Sequence, residues 1–235
     1  LANEYFTALR ETLAAIAAAD PRCQRFGAAQ HRYELAPVLG DLEARGLPDE
    51  VRAYATTIAG GGAGPYYGLL PLARTPEIVA APGVTAWQRA LPIGHLGCGY
   101  AVVMPLDGDA REQVWIDARA VGLVAPMYAS FTAYYVDWID RIASAQLPES
   151  FVPPGRCALA TALAGYFAVH EQRLGLPPGG LDGDRLADAL ASLGPGAIAI
   201  ANEGPLFAAD QPVLPCIRCT LLLDHLGLPR SVVRT

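Results

Sequence analysis

Residues 131–142 carry a run of large apolar side chains at helical spacing, and this stripe limits what the chain can fold into. Phe131, Tyr134, Tyr135, Trp138, Ile139 and Ile142 fall at i, i+3, i+4, i+7, i+8 and i+11. Ser130 stands where an N-cap is wanted. An aromatic stripe this wide needs a broad apolar surface to cover it. The preceding segment supplies one. Residues 100–106 are apolar without alternation, as expected of a central strand buried on both faces. Asp107-Gly108 offers a turn, and residues 113–117 and 123–128 read as two further short strands. Strands this short with short loops imply an antiparallel meander, and the helix packs on it. The expected class is α+β, with a mainly antiparallel sheet covered by helices.

The flanks extend this pattern. Residues 2–18 read as a helix through Phe6, Leu9, Leu13 and Ile16, ended by Asp20-Pro21. Leu47-Pro48-Asp49-Glu50 opens another, with Leu47, Val51, Tyr54 and Ile58 on one face and Gly60-Gly61-Gly62 as its stop. Residues 146–154, with Pro148 and Pro153-Pro154, resemble a linker. Helices are expected at 156–173, 182–193 and 217–226, with a proline-rich irregular stretch over 194–215. The expected organisation is an α+β domain over residues 1–147 and a mostly helical C-terminal extension over 148–235 packed on it.

Composition narrows the function. All 17 basic residues are arginine, the usage of a GC-rich bacterial genome. Without lysine there is no Schiff-base chemistry and no Walker-type phosphate lysine. The net charge of -6 and scattered arginines argue against nucleic acid and suit a basic protein partner. No apolar run approaches the roughly 18 residues of a membrane span. Leu1-Ala2-Asn3-Glu4 shows no basic signal-like region, so the expected location is the cytoplasm. Oligomeric state is not legible.

Several segments invite a chemical reading. Gly60 to Gly64 follow a helix and precede an expected strand, the reverse of a phosphate cradle, so they read as a terminator and tight turn. His95 and Cys98 have the spacing of a metal pair or a Cys-His nucleophile. The plainer reading makes Cys98 a small buried residue and His95 a loop residue. Cys216-Ile217-Arg218-Cys219 is a C-x-x-C, which zinc would complete with His225 or Cys157. It lacks the second half of a zinc ribbon and the context of a redox motif, so two partly buried cysteines at the head of a short helix is the plainer reading. The odd, sparse set Cys23, Cys98, Cys157, Cys216 and Cys219 does not make a disulfide scaffold. No serine sits in a G-x-S-x-G elbow, and Asp182-Gly183-Asp184 reads as a helix cap and not a calcium loop. Neither catalytic residues nor a cofactor are expected. Tyr66 and Tyr67 beside the glycines, and Asp117 and Arg119 expected to point outward after Trp115, are the candidate partner-binding residues.

Four motifs in order resemble the SUKH superfamily, which includes fungal cell-wall-synthesis regulators and many bacterial immunity proteins. They are His31-Arg32-Tyr33 with Pro37, leading to Leu47-Pro48-Asp49-Glu50-Val51-Arg52; Gly60 through Leu72; Leu91-Pro92-Ile93 through Tyr100; and Val114-Trp115-Ile116-Asp117 followed by Phe131, Tyr134 and Trp138. The likeness covers residues 21–145. It implies the α+β fold, no catalytic residues, and a binding role: a cytoplasmic immunity protein that occludes a toxin encoded nearby. A housekeeping scaffold or regulator of the same fold is the alternative. A small-ligand or metal-binding protein using His95/Cys98 or Cys216/Cys219 is the third.

Overall fold

The computed structural model describes residues 2–19, 37–38, 42, 45–144, 158–199, 206, 215 and 217–234. They divide into two compact units. The first comprises Leu1–Leu96, Tyr100–Phe151 and Gly204–Leu206; the second comprises Gly97–Gly99, Val152–Glu203 and Phe207–Thr235.

The first unit is a five-stranded sheet with helices. Its strands are β1 (Ile78–Val79), β2 (Arg89–Gly97), β3 (Tyr100–Pro105), β4 (Val114–Ala118) and β5 (Leu123–Tyr128), in the spatial order β1-β2-β3-β4-β5. β1 pairs antiparallel with β2, β3 with β4, and β4 with β5. The expected class and the meander are therefore found, and two strands are added at its N-terminal side. β3, central in the order, is buried along its whole length, as its unbroken apolar run requires. β5 closes one edge, where Pro126 removes a donor that an inner strand would need. A register shift sits between Val114 and Trp115.

Helices α1 (Ala2–Ala19), α2 (Asp49–Thr57) and α3 (Phe131–Ala143) belong to the same unit. The stripe behaves as its spacing demands: Phe131, Tyr134, Tyr135, Trp138, Ile139 and Ile142 are all buried. Ser130 caps the helix, its Oγ accepting from the Ala133 N–H at 3.1 Å. The Tyr54 ring of α2 meets Phe131 and Tyr135 with centroids 4.9 and 4.7 Å apart, and Phe6 of α1 edge-on at 6.0 Å. Such pairs add about 0.5–1.5 kcal/mol each beyond burial. The Tyr54 and Tyr135 hydroxyls both donate to the Ala63 carbonyl, at 3.2 and 3.0 Å. One acceptor with two lone pairs thus satisfies two buried phenols.

Glu50 does more than favour the start of its own helix. Its carboxylate accepts from the Phe131 N–H at 2.8 Å, the Thr132 N–H at 3.3 Å and the Thr132 hydroxyl at 2.6 Å. The orphan donors at the start of α3 are therefore capped from α2. On the sheet, Ala90, Ala101 and Val103 pack with Trp87 and Ala110, and Trp115, Val124 and Leu206 lie against this cluster. The Asp107-Gly108 turn is tied in: Asp107 accepts from Gln88 N–H at 2.7 Å and Arg89 N–H at 3.2 Å. These bonds hold its carboxyl below the usual range, the Gln88 amide contributing most.

The second unit contains α4 (Ala158–Leu174), α5 (Gly183–Ala191), α6 (Ile217–His225), and β6 (Ile198–Ala199) paired parallel with β7 (Val233–Arg234). The three expected helices are present. Tyr166 of α4 donates to the Ala189 carbonyl at 2.7 Å and contacts Ser192. Glu171 is buried, and its backbone and side chain accept from Leu176 and Leu181. Asp182 takes the N-cap position of α5, but its side chain makes no capping bond. Among the described residues no helix is long and apolar enough to cross a membrane.

Candidate functional site

The glycine-rich segment builds a closed loop. The N–H of Gly62 donates to the Leu69 carbonyl at 2.9 Å, and the N–H of Leu69 returns to Gly62 at 3.0 Å. Leu70 N–H then donates to Ile93 of β2 at 2.9 Å, so the loop leans on the sheet. Tyr66 takes φ +57 and Gly68 φ +89 inside it. A Cβ at Gly68 would stand 2.2 Å from the Gly62 carbonyl oxygen, so glycine alone fits there. The expected tight turn is found.

Of the two loop tyrosines, Tyr66 is 9% exposed and Tyr67 is partly exposed. The Tyr67 ring stacks on His95 of β2, centroids 4.7 Å apart and planes at 3°. Burial lowers the His95 pKa from 6.5 to about 4, so the imidazole is neutral at pH 7. His95 is therefore a strand residue under an aromatic ring, where a loop residue was expected.

Asp117 does not point outward. It is fully buried at the end of β4 and accepts from Arg119 through the backbone N–H at 3.2 Å and Nε at 3.0 Å. Arg119 also donates from Nη2 to the Val79 carbonyl of β1 at 3.1 Å. A carboxylate beside a strand end was read as exposed because strand ends usually are. Here an arginine two residues on follows it in, and burying the pair with its charge matched avoids the cost of a lone buried ion. Arg119 keeps a partly exposed side chain.

Cys98 lies in the two-residue turn between β2 and β3, and its side chain is buried. Its neighbour in space is Cys219 of α6, with the sulfurs 3.7 Å apart and no disulfide between them. Both residues belong to the second unit. Cys216, the other half of the C-x-x-C, lies outside the described residues, as do Cys23, Cys157 and His31-Arg32-Tyr33. Among the described residues no group of three or more His, Cys, Asp or Glu side chains is placed to hold a metal ion.

Two relations escaped sequence reasoning. The capping of α3 by Glu50 joins positions 81 apart, and the Cys98–Cys219 contact joins positions 121 apart. A cysteine between two glycines was the available signal for the second. No family model matches the chain, and neither a curated protein nor a solved structure matches it.

Proposed function

We propose that this protein is a SUKH-type binding module that neutralises a basic toxin by covering it. The ordered motifs from Leu47 to Trp138 carry this reading, together with the α+β class they share with the described antiparallel sheet. The motif residues are spent on folding. Glu50 caps a helix, Gly68 closes a loop, and Tyr54 and Tyr135 share one carbonyl. Recognition then falls to surface positions, among which Tyr67, inside the second motif, and Arg119 keep exposed area beside rigid elements.

The mechanism is occlusion by a preformed acidic surface. A net charge of -6 attracts a basic partner and speeds encounter, an effect that salt weakens. A few aromatic or arginine anchors supply most of the affinity. The test is co-expression of this chain with the product of its neighbouring gene. The expected result is a stable complex and relief of that product's toxicity. A neighbour that is harmless alone, or harmful and neither bound nor relieved, overturns the reading.

A further inference from the structure

The geometry of the second unit points to a metal site, and we propose that Cys98 and Cys219 are two thiolate ligands of one structural zinc ion. Their sulfurs stand 3.7 Å apart. Thiolates at about 2.3 Å from a tetrahedral zinc are separated by about 3.8 Å, the edge of that tetrahedron. A disulfide would need the same sulfurs at about 2.0 Å.

Distance alone does not separate zinc ligands from two neutral thiols in contact. Two further observations do. Cys98 sits at φ +53 between Gly97 at +80 and Gly99 at +76. A residue with a side chain is strained in this region and persists where its surroundings hold it. Here the two-residue hairpin sets the φ, and the residue that fills it is a cysteine whose sulfur meets α6, where glycine or asparagine would suit the turn better. Cys219, in turn, ends the C-x-x-C that opens α6. That spacing is a common source of paired zinc ligands. An ion held between a hairpin tip and a helix would tie the two together and stabilise the fold.

The experiment is elemental analysis of the purified full-length chain, with cobalt replacement as a second readout. About one zinc per chain is expected. Cys98→Ser and Cys219→Ser should each lose it. If the serine variants do not fold, the wild-type chain still decides. Cobalt loading should produce thiolate-to-cobalt charge-transfer bands, and removing metal with a strong chelator should lower the melting temperature. A metal-free chain that gives no such bands, or a Cys98–Cys219 disulfide found by mass spectrometry after thiol trapping, overturns the proposal.

Discussion

Among the described residues, Tyr66 and Cys98 both take left-handed backbone in turns within two residues of glycines, and the two turns are held in different ways. Tyr66 lies in a loop closed by its own neighbours, through the paired bonds between Gly62 and Leu69 and the Gly68 N–H donating to Pro65 at 3.0 Å. Cys98 lies at a hairpin tip, and its sulfur meets a partner 121 residues away. Local closure makes the first turn a property of the segment. The second is a two-residue hairpin turn that needs positive φ, and what sets it apart is the cysteine there, whose sulfur reaches a distant helix. This difference separates a structural loop from a candidate site better than glycine content does.

The largest test of that contrast is Gly68→Ala. The added methyl would sit 2.2 Å from the Gly62 oxygen at a backbone φ of +89. Clash and strain together should cost about 3 kcal/mol or more, read as a shift in the denaturant midpoint. Gly122→Ala is the control. Its φ is +69 and nothing lies within 4 Å, so strain alone, about 1 kcal/mol, is expected. Equal losses at the two positions would mean that the Tyr66 loop is not locked by close approach.

His95 gives the next effect. Its folded pKa of about 4 lies below the unfolded 6.5. Between those values the unfolded chain binds a proton that the folded chain refuses. Stability is therefore full above pH 6.5, falls as the pH drops toward 4, and loses at most about 3 kcal/mol by this route. His95→Gln should flatten that part of the pH profile. A slope unchanged by the substitution would place its origin elsewhere.

Glu50→Gln measures what a long-range partner contributes. The amide keeps one acceptor but loses the charge at the start of α3, and about 1–2 kcal/mol of stability should go. Urea denaturation reads it, and Asp49→Asn is a suitable comparison because Asp49 is exposed. Equal losses would make the effect one of α2's own dipole and not of the cap.

These tests also mark where the sequence was legible. The α3 stripe was readable because helical periodicity and burial coincide, and every residue it named is buried. The β3 run was readable because a strand buried on both faces is apolar throughout. β2 was not, although it is almost as buried. Pro92, Gly94 and Gly97 punctuate it like a loop, and its place between β1 and β3 holds it extended all the same. Asp117 was misplaced for a similar reason, since the arginine that buries with it also reaches across to Val79. Local pattern finds what local forces decide. Caps, ion pairs and thiol contacts between distant positions depend on the assembled fold.

The smallest effect bears most directly on the two turns. Cys98→Gly removes the left-handed strain at the hairpin tip together with one small buried thiol, and in the metal-free protein the relief should exceed the lost burial slightly, by under about 1 kcal/mol. The matching change, Tyr66→Gly, relieves the same strain but removes a ring that is 9% exposed. Its lost burial, about 3 kcal/mol or more, outweighs the relief, so that variant is destabilised under all conditions. For Cys98 the sign should depend on the sample. With zinc bound, losing a ligand costs more than the turn regains, and Cys98→Gly becomes the less stable protein. Melting temperatures of both variants and wild type, with chelator and with added zinc, read this directly. A Cys98→Gly gain that ignores zinc would leave the cysteine as a strained passenger. A sign that reverses would show the turn being held by the ion it serves.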